Sequence, residues 1–359
     1  LKKEILRRLK EEGDFLSGQQ LSRELGISRT AVWKAVGRLR EEGYPIASVP
    51  NRGYRLLDTQ DADILNQAEL ESRLAFLAWV GHPVIFRAAT RSTNDDIAAL
   101  ADEGSPEGTL VVSARQTKGK GRRGRAWISP DEGNIYMSLL LRPKLPTDIV
   151  PMVTIVMALA ACEAANESAA ASALAAEEDT KDVPQYRIKW PNDVVVRSRS
   201  VPAWRKMCGI LTELRLEERE IRDVTIGIGI NVNMTEFPEE LRDTATSMRL
   251  AEGGRRLDRA ALTARIWRRF EELYRLFEEA GSLRPLRARY EALLVNMNRG
   301  VRVMDPKEPF NGTAVGITDR GELRVLPDAV RGPGGEGGAP ELRLISAGEV
   351  SVRGVEGYV

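Results

Sequence analysis

The chain has 359 residues, of which 42% are hydrophobic and 29% charged, with a formal net charge of +1. That length holds two or three packed domains, and the balance excludes both a disordered chain and one that coats nucleic acid along its whole length. Two cysteines far apart in sequence, Cys162 and Cys208, fit free thiols rather than a disulfide framework, and the single His82 argues against histidine metal clusters and leaves one candidate for any Ser-His pair.

At the start, Leu1-Lys2-Lys3-Glu4 lacks the apolar core of a signal peptide. Leucine in first position points to a trimmed start or an unusual start codon. No apolar run reaches the roughly 20 residues of a bilayer span. A cytoplasmic protein with no membrane partner is expected.

Residues 1–57 hold 12 Lys/Arg against 7 Asp/Glu, a modest basic footprint. A first helix carries Ile5, Leu6 and Leu9 on one face and ends near Gly13. A second opens with Ser17-Gly18-Gln19-Gln20, a capping-box pattern, carries Leu21 and Leu25, and closes at Gly26. Ser28 can cap a third, with Val32, Val36 and Leu39 inward; the short link between helices two and three is the turn of a helix-turn-helix. Beyond Gly43 the period changes to two, through Tyr44, Ile46 and Ser48, a turn at Pro50-Asn51-Arg52-Gly53, then Tyr54 and Leu56. The pattern is a winged helix. Ser28, Arg29, Thr30, Lys34 and Arg38 lie off the apolar stripe and Arg52 at the wing tip, a set suited to DNA. The alternative is a helical interaction module with a solvated charged face.

Residues 58–68 read as a linker or short connecting helix. Strands are expected at 84–86, 109–112, 135–139, 194–196 and 224–230. An Ala-rich helix begins at Pro151 and runs past Cys162, followed by a low-complexity stretch at 164–182 read as an exposed extension or disordered loop. An amphipathic helix over 260–280 presents Leu262, Ile266, Phe270, Leu273 and Phe277. From about 298 come short strands, at 301–303, 313–315, 323–325, 342–344 and 350–352, that suit a small all-β barrel, with a Gly-rich hairpin tip at 331–338. Together these give an α+β multidomain chain with a mixed central sheet.

The segment most suggestive of chemistry is Gln116-Thr117-Lys118-Gly119-Lys120-Gly121-Arg122-Arg123-Gly124-Arg125-Ala126-Trp127. Glycines let the backbone turn and approach a ligand, their amides can form an anion nest, and the interleaved cations can balance a phosphate or carboxylate. Alone, it is equally a basic surface loop.

This stretch resembles the glycine-arginine loop of biotin protein ligases, written GRGRRGR-x-W. Other segments resemble the same family in the same order: Arg91-Ser92-Thr93-Asn94, Lys189-Trp190-Pro191-Asn192-Asp193, Lys206-Met207-Cys208-Gly209-Ile210-Leu211-Thr212-Glu213, Gly227-Ile228-Gly229-Ile230-Asn231-Val232-Asn233, and Gly348-Glu349-Val350-Ser351-Val352-Arg353. With the winged helix, the chain resembles the subgroup that is both ligase and repressor. The resemblance implies a winged helix over 1–60, a class II synthetase-like adenylating domain over 68–292 and an SH3-like barrel over 296–356.

It also implies a reaction. Biotin and ATP form biotinyl-5'-AMP, with magnesium carried by the nucleotide, and biotin passes to a lysine of the biotin carrier protein of acetyl-CoA carboxylase. Arg122 and Lys206 are implied at the reacting carboxylate and phosphate, with Lys189 a further phosphate ligand. Ser92, Thr93, Asn94 and Gln116 offer the neutral donors and acceptors a ureido ring needs, and the backbone at Lys120 and Gly121 closes over it. Arg123, Arg125, Trp127 and Asn231 are implied nucleotide contacts, and Trp127 with the strand residues after Lys206 can cover biotin's apolar part. Asp193 either helps hold magnesium or makes a structural ion pair. Operator DNA of biotin synthesis genes and a homodimer of the biotinyl-AMP form are the other implied partners. Lys120 replaces the family's first loop arginine, which loses bidentate geometry. Two alternatives stay open: a biotin sensor without turnover, and an acyltransferase for lipoate or another small carboxylic acid.

Overall fold

The structure, a computed structural model, describes residues 1–57, 63–130, 133–177, 179, 183–305, 308–328, 341–347 and 351–354. The Gly-rich tip at 331–338, residues 58–62 of the link and residues 348–350 of the last motif lie outside them.

Helices α1 (Lys2–Glu12), α2 (Gly18–Leu25) and α3 (Arg29–Glu41) start and stop where local chemistry dictates. Ser17 Oγ accepts from Gln20 N and Ser28 Oγ from Ala31 N, while Gly13 and Gly26 end α1 and α2 in the left-handed conformation at φ 65° and 64°. Strands β1 (Ile46–Val49) and β2 (Gly53–Leu56) form the wing hairpin. Ile5, Leu6, Leu9, Leu21, Val32, Val36 and Leu39 pack into one core with Tyr44 and Ile46.

Helix α4 (Gln67–Leu74), capped by Asn66, begins the next unit. A seven-stranded sheet follows, built from β3 (Val84–Arg87), β4 (Leu110–Ser113), β5 (Ile135–Leu141), β6 (Gln185–Lys189), β7 (Asp193–Arg197), β8 (Arg205–Glu217) and β9 (Glu220–Ile230). Its order is β3-β4-β5-β9-β8-β7-β6, parallel between β3 and β4 and antiparallel elsewhere, which makes it mixed. Helix α5 (Thr93–Asp102) packs Ile97 and Ala101 on Val111 and Leu140 of one face. The other face lies against α6 (Val153–Ala175) and α8 (Arg259–Ala280), with short helices α7 (Met248–Ala251) and α9 (Arg287–Leu293) at its margins. A last sheet, β13-β12-β11-β10-β14, is antiparallel throughout and comprises β10 (Arg299–Met304), β11 (Phe310–Ile317), β12 (Leu323–Pro327), β13 (Arg343–Ile345) and β14 (Ser351–Gly354).

One expectation fails. The stretch from 164 is a continuation of α6 as far as Ala175, with Ala164, Ala165, Ala169 and Ala173 buried. Alanine is the best helix former, and its small side chain lets α6 approach α8 closely. What reads as low complexity is a packing surface. Of the rest of that stretch, 178 and 180–182 lie outside the described residues. Residues 150–175 are also long and apolar enough to cross a membrane by length and composition, although no run of that length was expected; the helix is a core element, with 72% of its most apolar window buried.

Buried charge joins the winged helix to the central unit. Glu69 on α4 accepts from Lys10 at 2.7 Å, Arg73 at 2.8 Å and the Tyr44 hydroxyl at 3.1 Å, and Arg73 reaches on to Asp258, the cap of α8, at 3.0 Å. Burial pushes the Glu69 carboxyl up, but Lys10 and Arg73 pull it further down, so it lies below its ordinary range. Asp63, also buried, accepts from Arg259 Nε at 2.8 Å and Asn233 Nδ2 at 2.8 Å. Glu69→Ala strips two cations and a phenol of their shared acceptor. Lys10 and Arg73 stay partly solvated, so the expected loss is about 2–3 kcal/mol rather than the full cost of breaking a buried pair. Denaturant unfolding of the full chain measures it.

Candidate functional site

Strand alternation sorts the site from the core. On β5, β8 and β9, the side chains of Met137, Leu139, Cys208, Ile210, Ile226 and Ile228 enter the main core. The intervening positions Ser138, Gly209, Leu211, Glu213, Gly227 and Gly229 take the opposite face. Gly209 pairs with Gly229, Leu211 with Gly227, and Ser138 with Gly227 across the sheet. The glycines form a trough with no room for a side chain. A β-carbon on Gly227 would lie 2.1 Å from Asn94 Oδ1, and one on Gly229 2.5 Å from Trp127 Nε1.

Over this trough lies a small inner cavity of ≈ 50 Å³, walled by Ser92, Thr93, Asn94 and Gln116. Its polar groups are ordered among themselves. Gln116 Oε1 accepts from Thr93 N at 2.9 Å and Thr93 Oγ1 at 3.1 Å. Ser138 Oγ lies 2.7 Å from Thr93 Oγ1 and donates to Asn94 Oδ1 at 2.6 Å, and Asn94 Nδ2 donates to Glu213 at 2.6 Å. The wall is rich in neutral donors and acceptors held in fixed directions.

Beside it opens an outer cavity of ≈ 680 Å³, lined by Arg123, Arg125, Lys189, Asn231, Phe237 and Arg353, among others. Gly121, Arg122, Trp127, Asn192 and Lys206 border both cavities. Arg122 donates to Asn192 Oδ1 at 3.0 Å and to the Ala347 carbonyl of the C-terminal unit; burial lowers its pKa from the ordinary value. The Lys206 ammonium stands 2.5 Å from Asp193 Oδ1 and 5.1 Å from the centre of the Trp127 ring. A register shift between β7 and β8 sits beside Lys206, and its backbone is clasped by Thr244 and Thr246 at 2.7 and 2.9 Å. Bulges of this kind re-aim a side chain. Lys189 is buried, and burial, with the charges of Lys206, Arg353 and Arg125 against that of Asp193, takes its pKa down to about 8.

The expected site residues thus converge, with three adjustments. The Lys120 side chain turns to Asp95 at 2.6 Å and Glu213 at 3.3 Å. Asp193 pairs with Lys206, and among the described residues no group of three or more His, Cys, Asp or Glu is set to hold a metal ion. Asn231 spends its amide on the Thr246 carbonyl at 3.1 Å while still bordering the outer cavity. Sequence reasoning gave no role to Asn192, Ser138, Glu213 or Arg353. A lone serine in the otherwise apolar run Ile135-Tyr136-Met137-Ser138-Leu139 was the available signal for Ser138.

A second surface lies on the winged helix. Ser28, Arg29, Thr30, Lys34, Arg38 and Arg52 are all exposed. The Ser28 hydroxyl is occupied as the α3 cap, and the Arg52 guanidinium rests over the Phe15 ring at 4.4 Å. Trp33 stands among them, 64% exposed, an apolar surface the sequence reading did not single out.

Comparison with known proteins agrees with this division. Residues 87–231 match the Biotin/lipoate A/B protein ligase family, residues 2–55 an HTH domain, and residues 297–353 the Biotin protein ligase C terminal domain. The Bifunctional ligase/repressor BirA of Bacillus subtilis is 36% identical over 326 residues, 90% of this chain and 93% of that protein. Its namesake in Escherichia coli is 30% identical over 344 residues, 96% and 95% of the two chains. Among solved structures, biotin protein ligase from Aquifex aeolicus in complex with biotin and ATP aligns with a TM-score of 0.58 at 28% identity, covering 76% of this chain and 98% of that one. With these matches along nearly its whole length, the chain belongs to the biotin protein ligase family, among the bifunctional ligase/repressors.

Proposed function

We propose that the chain forms biotinyl-5'-AMP from biotin and magnesium-bound ATP and transfers biotin to a lysine of the carrier protein of acetyl-CoA carboxylase. One observation carries the reading: Arg122 and Lys206 stand where a neutral, hydrogen-bonding cavity meets a larger cationic one. A ureido ring suits the first, held by Ser92, Thr93, Asn94 and Gln116. A nucleotide suits the second, against Arg123, Arg125, Lys189 and Asn231. The biotin carboxylate attacks the α-phosphorus and pyrophosphate leaves. Two anions meet in that step, so the cations between them screen repulsion and stabilise charge on the phosphoryl oxygens. A neutral lysine amine of the carrier then attacks the acyl carbonyl and AMP departs.

In this reading the domains run over 1–60, 68–292 and 296–356. The central one is a class II synthetase-like adenylating fold, and the C-terminal sheet is an SH3-like barrel. The exposed α3 face and wing bind operator DNA of biotin synthesis genes, and the adenylate-bound form pairs as a homodimer that presents two such faces to a two-fold site, in the cytoplasm.

The test is transfer of labelled biotin to a purified carrier domain with magnesium and ATP. Tight biotin binding without transfer overturns it in favour of a sensor, and neither binding nor transfer points to another carboxylic acid. Two further results are expected. Lys189 is charged below about pH 8 and loses its proton above it, so kcat/KM for ATP falls by up to about tenfold per pH unit above that value. Lys189→Arg flattens this limb in steady-state assays. On the DNA side, Arg29→Ala and Lys34→Ala each lower the salt slope of DNA binding by about 1 if they contact phosphates, as read from binding isotherms across ionic strengths.

A further inference from the structure

Glu213 ends the Lys206–Glu213 segment and takes no part in the proposed reaction. It lies on β8, facing the trough, and its two carboxylate oxygens serve different elements. Oε2 accepts from Asn94 Nδ2 at 2.6 Å, and Oε1 faces the Lys120 ammonium at 3.3 Å. Lys120 meets a second carboxylate, Asp95 in the first turn of α5, at 2.6 Å. Both contacts bear on the inner cavity. Asn94 walls it, and its amide orientation is fixed because Ser138 donates to Oδ1 while Glu213 takes the amino group. The Lys120 backbone belongs to the loop that carries Arg122. That loop folds on itself through the Lys120–Ala126 bridge, Gly121 N to Arg125 O at 2.7 Å and Trp127 N to Gly119 O at 2.9 Å. Pinning the Lys120 side chain therefore pins the loop over the cavity mouth.

We propose that Glu213 is a positioning residue that ties closure of loop 119–125 to the orientation of Asn94, with Asp95 and Lys120 completing a three-membered ionic latch. The inference rests on the biotin reading of the inner cavity. The hydrogen bond that Lys120 donates to Asp95 raises the Lys120 pKa and favours the charged ammonium. The latch explains why lysine suffices where a clamping arginine was expected. Lys120 acts on the loop as a point charge between carboxylates, a role that needs no bidentate fork. For the ligand to enter or leave, the loop must lift and the two Lys120 ion pairs must break. The latch thus sets exchange rates without entering the chemistry.

Rapid-mixing measurement of labelled-biotin release from the full-length protein, at low and high salt, tests this. Partly exposed ion pairs of this kind change rates modestly. Asp95→Asn and Glu213→Gln are expected to speed release by roughly two- to fivefold and to weaken its salt dependence, whereas Asp95→Glu keeps the slow, salt-sensitive release. Glu213→Leu, which also removes the acceptor for Asn94, raises KM for biotin more than it lowers kcat. Wild-type release rates in both Asp95→Asn and Glu213→Gln overturn the latch, and so does a kcat loss with KM unchanged in Glu213→Leu. A wild-type protein that binds no biotin overturns the underlying ligase reading instead.

Discussion

Alanine in place of Lys206 is expected to lower biotin transfer by about 10²–10³-fold, the range for removing one preorganised group from a developing anion. The residue borders both cavities, so in the proposed reaction its ammonium lies where carboxylate and phosphate meet. It is largely shielded, with a side chain 24% exposed, which strengthens its field relative to a solvated lysine. The substitution also removes the cation 2.5 Å from Asp193, whose charge then opposes the incoming phosphate. Ser92, Thr93, Asn94 and Gln116 are untouched, so biotin affinity is expected to fall far less than the rate. Single-turnover label transfer measured beside equilibrium biotin binding separates the two. A loss below about tenfold would remove Lys206 from the reacting centre.

Gly227→Ala is expected to weaken biotin binding by more than roughly 100-fold and leave ATP binding near its original strength. The backbone at 227 is not in the left-handed region, so the effect is one of space rather than strain. A β-carbon there would sit 2.1 Å from Asn94 Oδ1. Asn94 cannot step aside without abandoning Ser138 and Glu213, each bonded at 2.6 Å. Overpacking of this kind costs about 1–3 kcal/mol, and displacing the hydrogen-bonded wall adds to it. Calorimetric titration with biotin and with ATP separately gives the comparison. Undiminished biotin affinity would move the ring site off the glycine trough.

How much of this was legible in the sequence depended on the range of the forces involved. Ser17, Ser28, Gly13 and Gly26 act within a turn of their own helices, and the helix ends were read from them. Helix α8 was equally plain, because its apolar residues recur at helical spacing. The end of α6 was not, because an alanine's role depends on what it packs against, and α8 is about a hundred residues away. Strand β6 carries mixed polar and apolar positions and went unread as a strand. At the site, the motif residues were found by resemblance, but the links among them were not. Ser138 meets Asn94 across 44 residues and Glu213 meets it across 119, and only the sheet register brings them together. The same holds for Asp193, whose two possible roles composition alone could not separate.

The contact between Arg122 and the Ala347 carbonyl carries a consequence for how this protein tolerates change. A main-chain oxygen is supplied by whatever residue occupies that position, so it is invisible to substitution. A mutational scan across the C-terminal segment would score position 347 as permissive. Deletion, proteolytic clipping or an insertion that shifts the register would nonetheless strip the loop that carries Arg122 of an acceptor that no single substitution there removes. The C-terminal unit thus exerts its effect through placement rather than through side-chain identity. Its drift in sequence, at fixed length, would understate how far the reaction depends on it.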